Sequence, residues 1–102
     1  MFGVLHTDGS GTNNPPLESL GALYDELLIA DREHGDVAVI NDDNGWSISA
    51  HRDGRVVFEH LGNGGERHMI PVSKERVLQL WLRLIAGEVD SLLSEPWKPG
   101  YG

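Results

Sequence analysis

Residues 37–51 read VAVINDDNGWSISAH, and this stretch decides the fold. Its first part, Val37–Asn41, is rich in β-branched residues, and Asn44-Gly45 is the strongest short-range signal for a hairpin turn. After the turn, apolar and polar residues alternate from Trp46 to His51, which is typical of a strand with one buried and one wet face. The stretch therefore predicts an antiparallel hairpin that covers a core on one side.

The strand pattern continues toward the C-terminus. Arg52-Asp53-Gly54 predicts the next turn, and Arg55–Leu61 predicts a third strand. After a loop at Gly62–Gly65, Glu66–Val72 predicts a fourth strand that Pro71 closes. The middle of the chain is thus expected to form an antiparallel meander of four strands.

The third strand contains a carboxylate among apolar neighbours. Because neighbouring strand residues point to opposite faces, Val56 and Phe58 share one face with His60, and Glu59 lies on the other. We expect Glu59 either to face solvent or to pair with a base such as Arg67.

Amphipathic helices flank the strands. Leucines recur at helical spacing after a predicted N-cap at Asn14, and Gly35 is expected to end this first helix. Ser73 is expected to cap a second amphipathic helix, which Gly87 ends. The apolar stripe of the first helix consists of Leu17, Leu20, Leu23, Leu27 and Leu28.

The two ends of the chain are predicted to be less regular. Residues 6–16 are turn formers and are expected to be a loop, with a short strand at 2–5 before it. Leu92 and Trp97 are expected to pack back on the domain, and residues 98–102 to form a frayed tail. The sequence therefore predicts one α+β domain over 1–102, in which a four-stranded antiparallel sheet, or five-stranded with 2–5, is flanked by two helices.

The charge balance excludes several classes of protein. The 102 residues include 16 acidic and 8 basic side chains, a formal net charge of −8. This balance argues against a general nucleic-acid binder and against attachment to an anionic membrane surface. No apolar run approaches the roughly 18 residues of a membrane span, and the first residues lack the pattern of a secretory signal. We therefore expect a cytoplasmic protein.

The acidic excess lies entirely in the first half of the chain. Residues 1–51 hold nine acidic side chains and one basic one, whereas residues 52–102 are balanced. Such a distribution indicates either a well-solvated surface that keeps the protein soluble or a surface that steers and docks a basic partner. Composition alone does not distinguish these two interpretations.

Residues capable of catalysis or metal binding form no recognisable motif. The chain has no cysteine, which excludes thiolate zinc sites and cysteine catalysis. His51, His60 and His68 lie in neighbouring predicted strands, but they lack the local spacing of metal ligands, so ordinary structural or solvent-facing histidines are the better interpretation. The Gly62–Gly65 loop lacks the lysine and the helix of a phosphate loop. We expect no metal, no cofactor and no enzymatic activity.

A series of short motifs between about Pro16 and Trp97 resembles a known family. In chain order these motifs are Val37–Asn41, Gly45-Trp46, Val57-Phe58-Glu59, Arg67–Pro71, Val72–Val77, Leu84–Glu88 and Pro96-Trp97. The chain is similar in this respect to the bacterial immunity proteins of the first numbered immunity class in polymorphic toxin systems. The resemblance implies a small cytoplasmic protein that binds a cognate toxin domain, often a nucleic-acid deaminase, and blocks its active site. It supplies no catalytic or interface residue.

The resemblance and the charge distribution lead to one hypothesis about the contact surface. A toxin that acts on nucleic acid has a basic groove, which the carboxylates of an inhibitor can occupy in place of phosphates. We expect Trp46 to be either an aromatic anchor for the partner or a core residue of the sheet, and Trp81 and Trp97 to be core residues. The predicted partner contacts are Asp31, Glu33, Asp36, Asp42, Asp43 and Trp46.

A second class of function is also consistent with the sequence. The chain could be a small acidic interaction or adaptor domain that is unrelated to toxins. In both cases the expected partner is a protein, with no direct contact to nucleic acid or membrane. The chain itself is expected to be a monomer or a weak homodimer, since an exposed sheet edge permits pairing without requiring it.

Overall fold

The computed structural model describes residues 1–29 and 35–102, and within these ranges the chain is a seven-stranded sheet with helices on one face. The strands are β1 (Phe2–Leu5), β2 (Gly11–Asn13), β3 (Asp36–Asn41), β4 (Trp46–His51), β5 (Val56–His60), β6 (Gly64–Met69) and β7 (Lys98–Pro99). A short 3₁₀ helix (Leu17–Ser19) leads into α1 (Leu20–Ile29), and α2 (Lys74–Ile85) and α3 (Val89–Leu93) lie near the C-terminus.

All strand pairs in the sheet are antiparallel, in the order β2-β1-β3-β4-β5-β6-β7. The predicted α+β class and the meander from β3 to β6 are confirmed. The predicted number of four or five strands is too low, because the sequence analysis missed β2 and β7. These strands have three and two residues, too few to show an alternating pattern.

The strand register places the apolar residues of the sheet on one face. Val39 pairs with Ile48, which pairs with Phe58, and all three side chains are fully buried. Helices α1 and α2 pack on this face, and their own apolar residues complete the core. The helical residues buried most deeply are Leu20, Leu23, Leu27, Val77, Leu80, Trp81, Leu84 and Leu92.

Two hydrogen bonds fix α2 across the sheet. The indole N–H of buried Trp81 donates to the carbonyl of Ile48 at 3.0 Å. The side-chain amide of buried Asn41 donates to the carbonyl of Leu84 at 2.9 Å, near the end of the helix. Both donors are satisfied inside the protein, so the burial of these polar groups carries little penalty.

The predicted boundaries of α2 are confirmed. The Ser73 side chain accepts a hydrogen bond from the Arg76 backbone N–H, as expected of an N-cap. Gly87 has a φ of 77° directly after the helix, a conformation that favours glycine. Beyond it Leu92 is fully buried and Trp97 packs partly against the core, as predicted.

The first helix differs from its prediction. Asn14 has a φ of 47° and is not an N-cap, since its side-chain oxygen accepts a hydrogen bond from Phe2 N–H at 2.9 Å instead. The predicted stripe is also too wide, because Leu17 and Leu28 are exposed while the other three leucines are buried. The predicted end of the helix near Gly35 borders residues 30–34, which lie outside the described ranges.

The opposite face of the sheet carries none of the described helices. We call it the open face and define it by Ala38, Ser47, Ser49, His51, Val57, Glu59 and His68, which the register places on one side. Apart from Val57, these defining residues are small or polar, in contrast to the apolar residues that face the helices.

The C-terminal segment, residues 98–102, folds onto the open face. After β7 pairs with β6, His68 Nδ1–H donates to the Gly100 carbonyl at 2.9 Å, and Arg55 donates to the Tyr101 carbonyl at 3.0 Å. The Tyr101 hydroxyl donates to the Glu59 carboxylate at 2.8 Å. The prediction of a frayed tail is therefore wrong: five residues with no apolar period are held by a strand edge and by individual hydrogen bonds.

No helix in the described parts of the chain has the length and apolar character needed to cross a bilayer.

Candidate functional site

The turn between β3 and β4 presents two of the predicted contact residues to solvent. Asp42 and Asp43, which we call the acidic turn, are both exposed. Buried Asn41 builds this turn: its carbonyl accepts a hydrogen bond from Gly45 N–H at 2.9 Å, and its side-chain oxygen accepts one from Asp43 N–H at 2.9 Å. Because the same side chain is bonded to α2, the two carboxylates stand on a turn that is fixed to the core.

One carboxylate of the acidic turn has a partner within the chain. The amino group of Met1 lies 2.7 Å from the Asp43 carboxylate, and both groups are about three-quarters exposed. An exposed ion pair of this kind contributes little to stability and is weakened by salt. It can therefore exchange for a cationic group of a partner at small cost.

Trp46 lies between the core and the surface, directly after the acidic turn. Its ring stacks on Phe58 with centroids 4.5 Å apart, and the Arg67 guanidinium lies 5.8 Å from the ring centroid. Phe58 also contacts Trp97, at 5.3 Å between centroids. Trp46 is half-buried, so it belongs to the edge of the core and still presents part of its ring to solvent. Trp81, by contrast, is entirely buried, as predicted.

The remaining predicted contact residues do not join the acidic turn. Asp36 is exposed at the opposite end of β3, about 16–17 Å from Asn41 for five strand steps. Asp31 and Glu33 lie outside the described residues. The structure therefore has Asp42 and Asp43 on the turn that leads into Trp46, and it places Asp36 at the other end of β3.

The histidines of the strands have separate surroundings. On the open face, His51 contacts Ser49 at 3.3 Å and Arg55 at 3.2 Å, and burial, followed by the nearby guanidinium, lowers the pKa of His51. His60 lies on the helix-covered side and accepts hydrogen bonds from the backbone of the loop that follows it. Among the residues that the structure describes, no group of three potential ligands could hold a metal ion.

Glu59 and Arg67 do not pair. Glu59 is on the open face and binds Tyr101, which raises the pKa of the tyrosine to about 12. Arg67 is on the helix-covered side next to Trp46. Of the two predicted alternatives for Glu59, pairing with Arg67 is therefore wrong, because the two side chains lie on opposite faces of the sheet.

A polar cluster that the sequence analysis missed lies between the β1–β2 hairpin and α1. His6 Nδ1 is 2.7 Å from the Glu26 carboxylate, and His6 Nε2 is 2.8 Å from the Thr12 hydroxyl. We call these three residues the His6 relay. They line a cleft of about 230 Å³ whose other walls are Val4, Pro15, Pro16, Ser19, Ala22 and Leu23.

The β1–β2 hairpin positions two members of the His6 relay. Val4 pairs with Thr12 across the hairpin, and Val4 is a core residue, so Thr12 and His6 also point toward the helices. The loop is closed by Asp8, whose carboxylate accepts hydrogen bonds from the hydroxyl and backbone N–H of Ser10. These bonds hold the pKa of Asp8 below its usual value.

The hairpin corrects the prediction of a loop over residues 6–16. Asp8-Gly9 is a hairpin turn signal that was available in the sequence. It would have placed His6 and Thr12 on the face of Val4. The contact with Glu26 depends on how α1 crosses the hairpin, and no local pattern carries that information.

No family model, curated protein or solved structure matches the chain.

Proposed function

We propose that the chain is an immunity protein that binds and inhibits a toxin domain acting on nucleic acid, such as a deaminase. The acidic turn is the observation that carries this proposal. It presents two exposed carboxylates on a turn that is fixed to the core through Asn41 and that leads into the half-exposed Trp46. A rigid pair of negative charges beside an aromatic ring suits a basic groove that otherwise binds phosphates and bases.

The charge of the whole chain supports the same proposal. With a net charge of −8, the protein attracts a basic partner before contact, and such steering raises association rates. The rigidity of the turn also reduces the conformational entropy that binding would otherwise cost. The proposed complex should therefore form quickly at low salt and weaken as salt is added.

The experiment is protection of cells by co-expression. The chain is expressed in a heterologous bacterial host together with its candidate toxin, for which the proposed function implies a gene directly upstream that encodes a large protein with a C-terminal toxin domain. We expect the wild-type chain to restore growth and to bind the purified domain with an affinity that falls between 50 and 300 mM salt, values chosen on either side of the physiological range. If the wild-type chain neither protects nor binds, the proposed function is wrong.

A matched pair of charge reversals tests the contact surface. Asp42→Lys with Asp43→Lys should reduce affinity at least tenfold and flatten its salt dependence, because attraction becomes repulsion at the contact. Glu18→Lys with Glu75→Lys produces the same net charge at exposed positions elsewhere and should change affinity by less than about threefold. Equal affinities for the two variants would remove the acidic turn from the interface while leaving the inhibitory function intact.

A further inference from the structure

The His6 relay lies far from the acidic turn. Phe2 at one end of β1 pairs with Asn41, next to the acidic turn, whereas His6 follows Leu5 at the other end of β1. An activity of this cluster would therefore be independent of the proposed toxin contact.

The hydrogen bonds of the relay fit a neutral imidazole that carries its proton on Nδ1. An ionised carboxylate accepts hydrogen bonds and does not donate them, so the ring nitrogen at 2.7 Å from Glu26 carries the proton. The neutral ring then has its lone pair on Nε2, which accepts the Thr12 hydroxyl proton across 2.8 Å. This is the arrangement of a nucleophile, a general base and a carboxylate that orients the base.

Glu26 is itself held in place. Its second oxygen accepts a hydrogen bond from the Thr7 backbone N–H at 3.2 Å, so the carboxylate is fixed by the loop that also carries His6. The His6 and Glu26 side chains are each 28% exposed. Thr12 is on the edge strand and open to solvent, so its hydroxyl is accessible to a molecule in the cleft.

The size and lining of the cleft limit the substrate. About 230 Å³ accommodates only a small molecule, and its walls include two prolines, an alanine and a leucine. A short acyl group fits these apolar walls, with its carbonyl carbon next to the Thr12 hydroxyl. A neutral carboxylic ester is preferred over a charged substrate, because the Glu26 carboxylate lies beside the site.

We propose that the His6 relay is a nucleophilic site that hydrolyses small carboxylic esters. The Thr12 oxygen forms a bond to the acyl carbon while its proton passes to Nε2 of His6. The bond from the acyl carbon to the alcohol oxygen then breaks, and the alcohol leaves with that proton. Water, deprotonated by Nε2, attacks the acyl–Thr12 ester, and the carboxylic acid leaves as the Thr12 oxygen regains the proton. Glu26 is a positioning residue that stabilises the protonated imidazole.

The experiment uses the purified full chain and p-nitrophenyl acetate. We expect hydrolysis faster than that by free imidazole at the concentration of the chain's five histidines, and an acid-quenched sample should carry one acetyl group on the peptide that contains Thr12. Thr12→Ser keeps the hydroxyl and should remain within tenfold of wild type. Thr12→Val keeps the shape of the side chain but removes the nucleophile, so the rate should fall at least about 10²-fold, and no acetyl group should appear on the peptide that contains residue 12.

Two further variants separate the relay from a merely structural contact. Glu26→Gln should reduce the rate at least tenfold with an unchanged melting temperature, because the amide can donate to Nδ1 and move the ring proton to Nε2. His51→Gln, on the open face, should leave the rate unchanged and accounts for background hydrolysis by imidazole. Wild-type activity in Thr12→Val, or acetylation at histidine or lysine without acetyl-Thr12, would overturn the proposal. A folded wild-type chain that hydrolyses the ester no faster than free imidazole would also overturn it.

Discussion

The two faces of the sheet are stabilised in different ways. The face that packs against α1 and α2 is filled by apolar side chains such as Val39, Ile48 and Phe58, which are fully buried. The open face consists mainly of small and polar residues, and the C-terminal segment is attached to it through single hydrogen bonds, such as that between Tyr101 and Glu59. Most of the folding free energy should therefore come from one face, because apolar burial exceeds the net contribution of exposed hydrogen bonds.

Two valines provide the most direct test of this difference. Val39 and Val57 are both almost completely inaccessible to solvent, and they lie on opposite faces of the sheet. Val39→Ala should destabilise the protein by about 2–3 kcal/mol, because helices on one side and strands on the other prevent the cavity from closing. Val57→Ala should lower the free energy of unfolding by only about 1 kcal/mol, because the C-terminal segment on the open face can move inward and partly fill the cavity.

The measurement is urea unfolding of both variants, followed by far-ultraviolet circular dichroism. If the two variants have the same m-value, the difference between their midpoints reflects a difference in stability and not a change in the surface exposed on unfolding. Equal losses at the two positions would contradict the distinction between the faces and would mean that the open face is packed as rigidly as the core.

The elements that build the core could be predicted from the sequence, whereas the segment that lies on the open face could not. The meander and α2 have strong local signals, namely alternation in the strands, Asn44-Gly45 in the turn and Ser73 at the cap, and these elements were predicted correctly. The C-terminal segment has no such signal. Its position depends on hydrogen bonds to Glu59, Arg55 and His68, which are distant in sequence, so a prediction from local pattern assigned it as frayed.

The candidate site also combines features that local sequence signals predict with features that they do not. The hairpin signal predicts that Asp42 and Asp43 lie in an exposed turn, and the structure has them in such a turn. The length of β3 places Asp36 at the opposite end of the strand from this turn. The predicted contact surface did not take that length into account. In the His6 relay, the hairpin sets the positions of His6 and Thr12, whereas the contact between His6 and Glu26 depends on the tertiary packing of α1 against the hairpin.

An ion-pair cluster between α2 and the segment after α3 should make a second, smaller contribution to stability. The Glu95 carboxylate binds Arg76 at 2.5 Å and Arg83 at 3.0 Å, which ties the segment after α3 to α2. The hydrogen bond from Arg83, followed by the charge of Arg76, holds the pKa of Glu95 below its usual value. Because the pKa of Glu95 is lower in the folded state than in the unfolded state, the ionised Glu95 side chain stabilises the fold at pH values above 4.5, the pKa of the unfolded state. This stabilisation is lost as the pH falls through the pKa of the folded state.

Glu95→Gln should therefore lower the free energy of unfolding by about 1–2 kcal/mol at pH 7, and by much less near pH 3. Urea unfolding at the two pH values measures both quantities. Glu88→Gln removes an exposed carboxylate from the same part of the chain and should change stability by less than about 0.5 kcal/mol at either pH. A difference between wild type and Glu95→Gln that persists undiminished at pH 3 would show that packing, and not charge, holds Glu95.

The smallest effect concerns the contact between the C-terminal segment and the open face. The hydrogen bond from Tyr101 to the Glu59 carboxylate raises the pKa of the tyrosine to about 12, because ionisation would break the bond and place two negative charges together. In a Tyr24→Phe background Tyr101 is the only remaining tyrosine, so its ionisation can be followed by absorbance near 295 nm. Glu59→Gln should return the midpoint toward about 10, the value of an unperturbed tyrosine.

The titration also reports on whether the open face is covered in solution. A midpoint near 12 that depends on Glu59 means that residues 98–102 remain seated on the sheet, provided that circular dichroism shows an intact fold over the same pH range. A midpoint near 10 in both proteins would mean that the segment leaves the sheet in solution. In that case Glu59 and His68 would lose their contacts with the segment, and the open face would be stabilised by its own strands alone. The contrast with the helix-covered face would then be larger.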